Sequence, residues 1–167
     1  MALIYNYRKT KNGLRLGVLN VNGLGKKIKQ EKIIDRMKCD QVDVFVLLDT
    51  RLDQNIKNTS TLPELQNAYI CNKIDTHRGV LVATRPGLDI EITNPIFYKD
   101  GNMVKLDISS PEGEDFTLNA GYAPDDDTVQ CFIDIANEFW LNIVIFLFLL
   151  FKHNAQDIWM TNVTKVV

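Results

Sequence analysis

The chain has 167 residues, 19 Lys+Arg against 21 Asp+Glu, and a formal net charge of −2. With 46% apolar and 24% charged residues it has the make-up of one globular domain, or one domain with a tail, which excludes whole-chain disorder. The near-neutral charge excludes a strongly basic nucleic-acid coat protein, but not a nuclease with a local basic rim.

Residues 1–13 read as an N-terminal arm without a signal-peptide apolar region, so an intracellular location is expected. Leu14 to Leu19, LRLGVL, reads as a short strand, and Asn20 to Gly25, NVNGLG, as a loop. Lys26 to Lys38 places Ile28, Ile33, Ile34 and Met37 near helical spacing among charged residues, the pattern of an amphipathic helix. Val42 to Leu48, VDVFVLL, is a second strand whose near-continuous apolar run predicts burial on both faces. Strand, helix and strand in this order make a βαβ-like opening.

After a polar stretch from Thr50 to Ser60, a short helix or turn is expected at Leu62 to Gln66. Tyr69 to Asn72 is a weak strand and Gly79 to Thr84 a strong one. An Arg85-Pro86-Gly87 turn leads into Leu88 to Thr93. Asn102 to Ser109 alternates apolar and polar residues, and Phe116 to Tyr122 is its partner across a turn. A βαβ start followed by a meander points to a large mixed sheet, not a doubly wound parallel one.

Asp125, Asp126 and Asp127 suit a helix N-cap, with Phe132, Ile135, Phe139 and Trp140 on the helix that follows. Ile143 to Phe151, IVIFLFLLF, is apolar all round. Its nine residues are too few for a helix to cross a bilayer, which takes about 20. It reads as a buried helix or strand, as an aggregation-prone tail foreign to the fold, or as a membrane anchor. Membrane association is the least favoured. Ile158 to Val167 reads as one last short strand.

Cys39, Cys71 and Cys131 have no paired spacing, and His77 and His153 stand far apart. A disulfide framework and a Cys/His zinc site are therefore poor readings, and reduced, mostly buried thiols are expected. GxxxxGK[ST], GxSxG and HExxH are absent, which removes the simplest nucleotidase, hydrolase and metalloprotease readings. What remains is a set of polar residues at the carboxyl ends of apolar strands, where mixed α/β sheets tend to place sites: Asn20, Asn22, Asp49 and Tyr122. Each also has a plain structural reading, as turn chemistry, a helix cap or a strand terminus.

Taken together, LRLGVLNVNGLG, VDVFVLLDTRL, RGVLVATR and FTLNAGYAPDDD resemble the endonuclease/exonuclease/phosphatase superfamily, in particular the apurinic-site-like endonuclease domain of non-LTR retrotransposons. Order and spacing agree from about Leu14 to Asp127, about two-thirds of the chain. The resemblance implies an α/β fold, a four-layer α/β sandwich of two mixed sheets with flanking helices, here partial. It also implies Mg²⁺-dependent phosphodiester hydrolysis with DNA as partner, and a nuclear location. By resemblance Asn20 lies by metal and phosphate, Asn22 is a second polar position on the metal side of that loop, Asp49 stands where the family carries its metal-ligating Glu, and Tyr122 stands where a Tyr contacts the phosphate region. Mg²⁺ takes oxygen ligands, usually one or two carboxylates with waters and phosphate. It polarises the phosphoryl oxygen and stabilises the leaving oxygen.

The sequence departs from that pattern. Asp49 is one methylene shorter than Glu. The Gly-Asp-Phe-Asn element is missing where the chain reads Asp157 to Asn162, with Met160 two before Asn162. The closing Ser-Asp-His element is missing too. Metal, water-activating Asp and His act as a unit. The expectation is therefore a truncated or frame-disrupted domain, altered near Gln130 and inactive. Alternatives are a non-catalytic binding module and a residual Mg²⁺-dependent nuclease. Lys26, Lys27, Lys29 and Lys32 read either as a DNA-backbone rim or as a solvated helix face. A partial fold is also expected to lack most of its second sheet. That would leave a bare apolar face prone to self-association unless the Ile143 to Phe151 run covers it as a lid.

Overall fold

The computed structural model describes residues 5–9, 13–52, 66–72, 79–98, 103–111, 115–122, 144–149 and 158–162. The expected helix after Asp127, the turn at Leu62 and Cys131 lie outside them. Ten strands and one helix are described: β1 (Tyr5–Lys9), β2 (Arg15–Asn20), α1 (Lys27–Cys39), β3 (Val44–Leu48), β4 (Gln66–Asn72), β5 (Gly79–Thr84), β6 (Glu91–Phe97), β7 (Met103–Ser109), β8 (Phe116–Tyr122), β9 (Val144–Leu149) and β10 (Ile158–Asn162). They form two five-stranded sheets, ordered β1-β2-β3-β5-β4 and β10-β9-β8-β7-β6. Both are mixed, since β2 and β3 pair in parallel, as do β8 and β9, and every other pairing is antiparallel.

The β2-α1-β3 opening is the expected one. β3 runs between β2 and β5, so all five of its residues are buried. Its alternation serves two cores. Val44, Val46 and Leu48 face the second sheet with Leu16, Val18, Val80 and Val82, and there they meet Val104, Leu106, Ile108, Leu118 and Ala120. Phe45 and Leu47 face the other way, under α1, with Leu19, Leu81 and Ala83. α1 closes that second core with Ile33, Ile34 and Met37. Ile28, expected on the same stripe, is instead 69% exposed, and Gln30 takes its place on the buried face. The spacing 30, 33, 34, 37 is the i, i+3, i+4, i+7 stripe, and Ile28 falls outside it.

The single large sheet suggested by the meander is replaced by two sheets, as the family resemblance implies. β3 and β4 occupy both edges of β5, so β6 has no place beside the strand that precedes it. The chain turns at Gly87 (φ 74°) and crosses to the second sheet, with Leu88, Ile90 and Ile92 packed against the inter-sheet core. The strand expected at Leu88 to Thr93 accordingly starts later, at Glu91, and runs to Phe97. Being an edge strand it is guarded: Pro95 removes a donor, Asn94 is left-handed (φ 50°), and the register shifts between Thr93 and Ile96.

The second sheet is present, and its apolar face covers the inner face of the first. The bare face expected from a missing sheet is therefore not there, and the premise for self-association through it falls away. The IVIFLFLLF run supplies β9, in parallel register beside β8 from Thr117↔Val144 to Tyr122↔Leu149, so it extends a sheet edge and is no lid. β10 completes that edge as the expected last strand. Within the N-terminal arm, Tyr5–Lys9 pairs antiparallel with β2.

At the end of the first sheet where β2 and β3 begin, Asp43 ties three strands. Its Oδ2 accepts from the Arg15 N–H at 2.7 Å, its Oδ1 accepts from Arg85 Nε, and its backbone carbonyl accepts from the Arg85 N–H at 3.0 Å. Among the described cysteines, Cys71 is buried, and burial raises its thiol pKa. Cys39 is exposed, contrary to expectation, and both are free. No helix among the described residues is long and apolar enough to cross a membrane.

Candidate functional site

Parallel pairing of β2 and β3 sets their carboxyl ends side by side, with Asn20 opposite Leu48. The two following loops stay stitched together. Val21 N–H donates to Leu48 O at 2.9 Å, Gly23 N–H to Asp49 O at 2.7 Å and Leu24 N–H to Thr50 O at 2.6 Å. Thr50 N–H in turn donates to Gly79 O at the start of β5, at 3.0 Å. Val21 and Leu24 are fully buried beneath the loop, and Gln30 Nε2 donates to Leu24 O at 2.6 Å, so α1 holds the same segment. The backbone thus brings Asn20 and Asn22 beside Asp49.

This loop pair is conformationally strained. Asn22 (φ 44°), Asp49 (φ 55°) and Arg51 (φ 50°) are three of the five non-glycine left-handed residues among those described. Each such residue costs about 1–2 kcal/mol, least for Asn, and such costs gather where a fixed arrangement is held by its surroundings. Asn20 Oδ1 accepts from the Asn22 N–H at 2.8 Å, an Asx turn. The plain turn reading of the Asn pair therefore accounts for this contact.

Asp49 is held by Arg51. Nε donates to Oδ1 and Nη2 to Oδ2, both at 2.9 Å, in a bidentate fork. Lys29 Nζ donates to the Asn22 carbonyl at 3.0 Å. The Lys29 pKa is lowered, chiefly by burial and next by the Arg51 charge, with Asp49 opposing. Lys26 and Lys27 stand at the start of α1, whose first turn carries no acidic residue. The partial positive charge of a helix N-terminus adds to theirs. Lys27 pairs with Glu31 at 3.9 Å, so Lys26 and Lys29 are the cations that stand with Arg51 around the paired carboxylate.

A divalent cation does not fit this donor set. Mg²⁺ needs direct carboxylate oxygens at about 2.0–2.1 Å, and both oxygens of Asp49 are taken by a guanidinium. Asn20 Oδ1 is occupied with its turn. Thr50 Oγ1 is buried and without a partner, yet a lone hydroxyl does not replace a carboxylate. Among the described residues no group of three or more His, Cys, Asp or Glu is placed to hold a metal.

Of the residues singled out from the sequence, Asn20, Asn22 and Asp49 are brought together. Tyr122 ends β8 in the other sheet, and its side chain lies outside the described residues. The sequence reading named Lys29 as one of four lysines of a possible backbone rim, but missed Arg51 as part of the site, although it stands two after Asp49. It also missed Asn119, fully buried in β8 with neither Oδ1 nor Nδ2 partnered.

No protein-family model and no curated protein matches the sequence. Among solved structures, the chain is similar to the AP endonuclease LMAP from Leishmania major, at TM-score 0.54 and 13% identity, over 79% of this chain and 49% of that one. It is similar to the catalytic domain of human Nocturnin at TM-score 0.52 and 12% identity, over 80% of this chain and 62% of that one. The endonuclease domain of TRAS1, a telomere-specific non-LTR retrotransposon, aligns at TM-score 0.49 and 12% identity, over 78% of this chain and 57% of that one. The two likenesses above 0.5 establish the fold: this chain has the endonuclease/exonuclease/phosphatase fold. It spans about half of the Leishmania enzyme and less than two-thirds of the Nocturnin domain.

Proposed function

We propose that this chain is a nuclease-fold domain that engages a phosphodiester backbone, DNA by resemblance, without cleaving it. The observation that carries this reading is the pairing of both Asp49 oxygens with Arg51 beside Lys29 and Lys26. A carboxylate so held is a poor ligand for Mg²⁺ and a poor base toward water, while the neighbouring cations suit phosphate oxygens. Phosphate contacts by Lys and Arg give affinity that falls steeply with salt and reads no sequence. The strand-end motifs support an origin in the endonuclease domain of a non-LTR retroelement, and a nuclear location accords with that origin. Magnesium belongs to the family activity and has no role in the function proposed here.

Duplex DNA binding measured across a salt series, with plasmid nicking in Mg²⁺ on the same sample, tests this. Binding that weakens log-linearly with salt, with no nicking above background, is the expected result. Mg²⁺-dependent nicking that vanishes in Asp49→Ala would show a working active site and refute inactivity. Absence of binding at low salt by a folded sample would refute the backbone-binding reading.

A further inference from the structure

The Asp49–Arg51 pair is built into the backbone. A contact between side chains two residues apart needs the chain to fold back on itself, and both residues are left-handed here, at φ 55° and 50°. The loop that makes this turn is fixed from outside, by Gly23 N–H on Asp49 O and Leu24 N–H on Thr50 O. Gly23 also gives the Arg51 stem its bed. It is itself left-handed (φ 83°), and the position of a Cβ on it lies 3.6 Å from Arg51 Cδ. The Asp49 side chain is 19% exposed and the Arg51 side chain 51%. The guanidinium therefore lies across the carboxylate on its open side.

We propose that Arg51 is a tethered cation that excludes divalent metal from Asp49. The inference rests on reading the paired loops after β2 and β3 as the functional site. A guanidinium stays charged at every pH a folded protein survives, so no proton loss releases the carboxylate. Its fork sets one N–H and a shared positive charge against each oxygen, so a metal ion that takes a lone pair of either oxygen does so against the repulsion of the guanidinium. Lys29, close by on the Asn22 carbonyl, adds a second positive charge that opposes an incoming dication. The change of Glu to Asp and the left-handed turn act together. The shorter side chain keeps the carboxylate close to the backbone, where the arginine two residues on can close over it. The block on metal binding thus lies inside the motif itself, apart from the family's later acidic and His elements.

Mn²⁺ binding to the full chain, read by electron paramagnetic resonance without nucleic acid, tests this. The proteins are wild type, Arg51→Met, and Arg51→Met combined with Asp49→Asn. Arg51→Met is expected to bind Mn²⁺ at least tenfold more tightly than wild type, and the double variant to lose the gain. Equal affinity of wild type and Arg51→Met, or a gain that survives Asp49→Asn, overturns the proposal. Circular dichroism checks folding of each protein. Should Arg51→Met not fold, Arg51→Gln replaces it, since it keeps a polar side chain but removes both the charge and the fork. A threefold or larger gain supports the proposal, and no gain overturns it. Because no DNA is present, failure of the backbone-binding reading appears only in the salt series, and failure of the metal block only here.

Discussion

Replacing Asn119 with Val should make the protein more stable. Asn119 lies in the middle of β8, opposite Lys105 on β7 and Phe146 on β9. Its neighbours Leu118 and Ala120 point into the inter-sheet core, so its amide points to the outer face of the second sheet. It is fully buried there, and its donor and acceptor are both without partners. An unpartnered buried polar group costs about 1–3 kcal/mol. Val removes that cost and is the better strand former by up to about 1 kcal/mol. Extra volume and imperfect fit take some of this back, leaving a net gain of about 2 kcal/mol. For a domain of this size that corresponds to a rise in Tm of about 4–8 °C. Urea unfolding and a thermal melt measure it, with unchanged m as the check that the unfolded state is not altered. Asn119→Asp is the matched control: nearly the same shape, but a charge in place of the amide, costing about 3 kcal/mol or more. A Val variant that is less stable than wild type, or an Asp variant that is tolerated, would mean the amide is hydrated or bonded in solution and would refute the reasoning.

Asp43→Ala should destabilise by about 2–3 kcal/mol, since it strands the Arg15 N–H and releases Arg85, while Asp43→Asn should cost less because an acceptor remains; urea unfolding separates the two. Gly23→Ala should cost about 1–2 kcal/mol through its left-handed φ, with no steric penalty because a Cβ there meets Arg51 Cδ at ordinary contact distance. Asp107 has a pKa lowered below 3.8, chiefly by the hydrogen bond from Thr117. A depressed carboxylate pKa gives stability that is present above about pH 4 and lost as pH falls through the folded value. Thr117→Val should therefore lower stability at neutral pH and flatten its loss in acid, as read by urea midpoints at pH 7 and pH 3. Deleting residues 142–167 removes β9 and β10 and bares the edge of β8, so gel filtration should show aggregation; an unchanged monomer peak would sink that expectation.

The two central elements of the first sheet were legible because their patterns are local. VFVLL has no polar position to give to solvent, so a strand buried on both faces is the consistent reading. The Asn loop, the Arg-Pro-Gly turn and the alternating Met103 to Ser109 strand were legible for the same reason: each depends on a few neighbouring residues. Motif order then carried the family fold across the whole run, although the chain shares 13% identity or less with the solved structures it is similar to.

Tertiary structure decided what depends on distant partners. The IVIFLFLLF run offers no periodicity, so the sequence alone left it as helix, strand, tail or anchor, and only the parallel edge of β8 makes it a strand. Whether the meander stays in one sheet or crosses to a second is set by β3 and β4 filling both edges of β5, a matter of pairing that no segment encodes by itself. Gln30 fills the first position of the 30, 33, 34, 37 stripe because its amide has a partner there, the Leu24 carbonyl, which the sequence does not reveal. The sequence put a carboxylate and an arginine two residues apart, a spacing that in an extended strand would send both side chains to one face about 7 Å apart without contact. The left-handed turn, fixed by the neighbouring Asn loop, brings them into one bidentate pair.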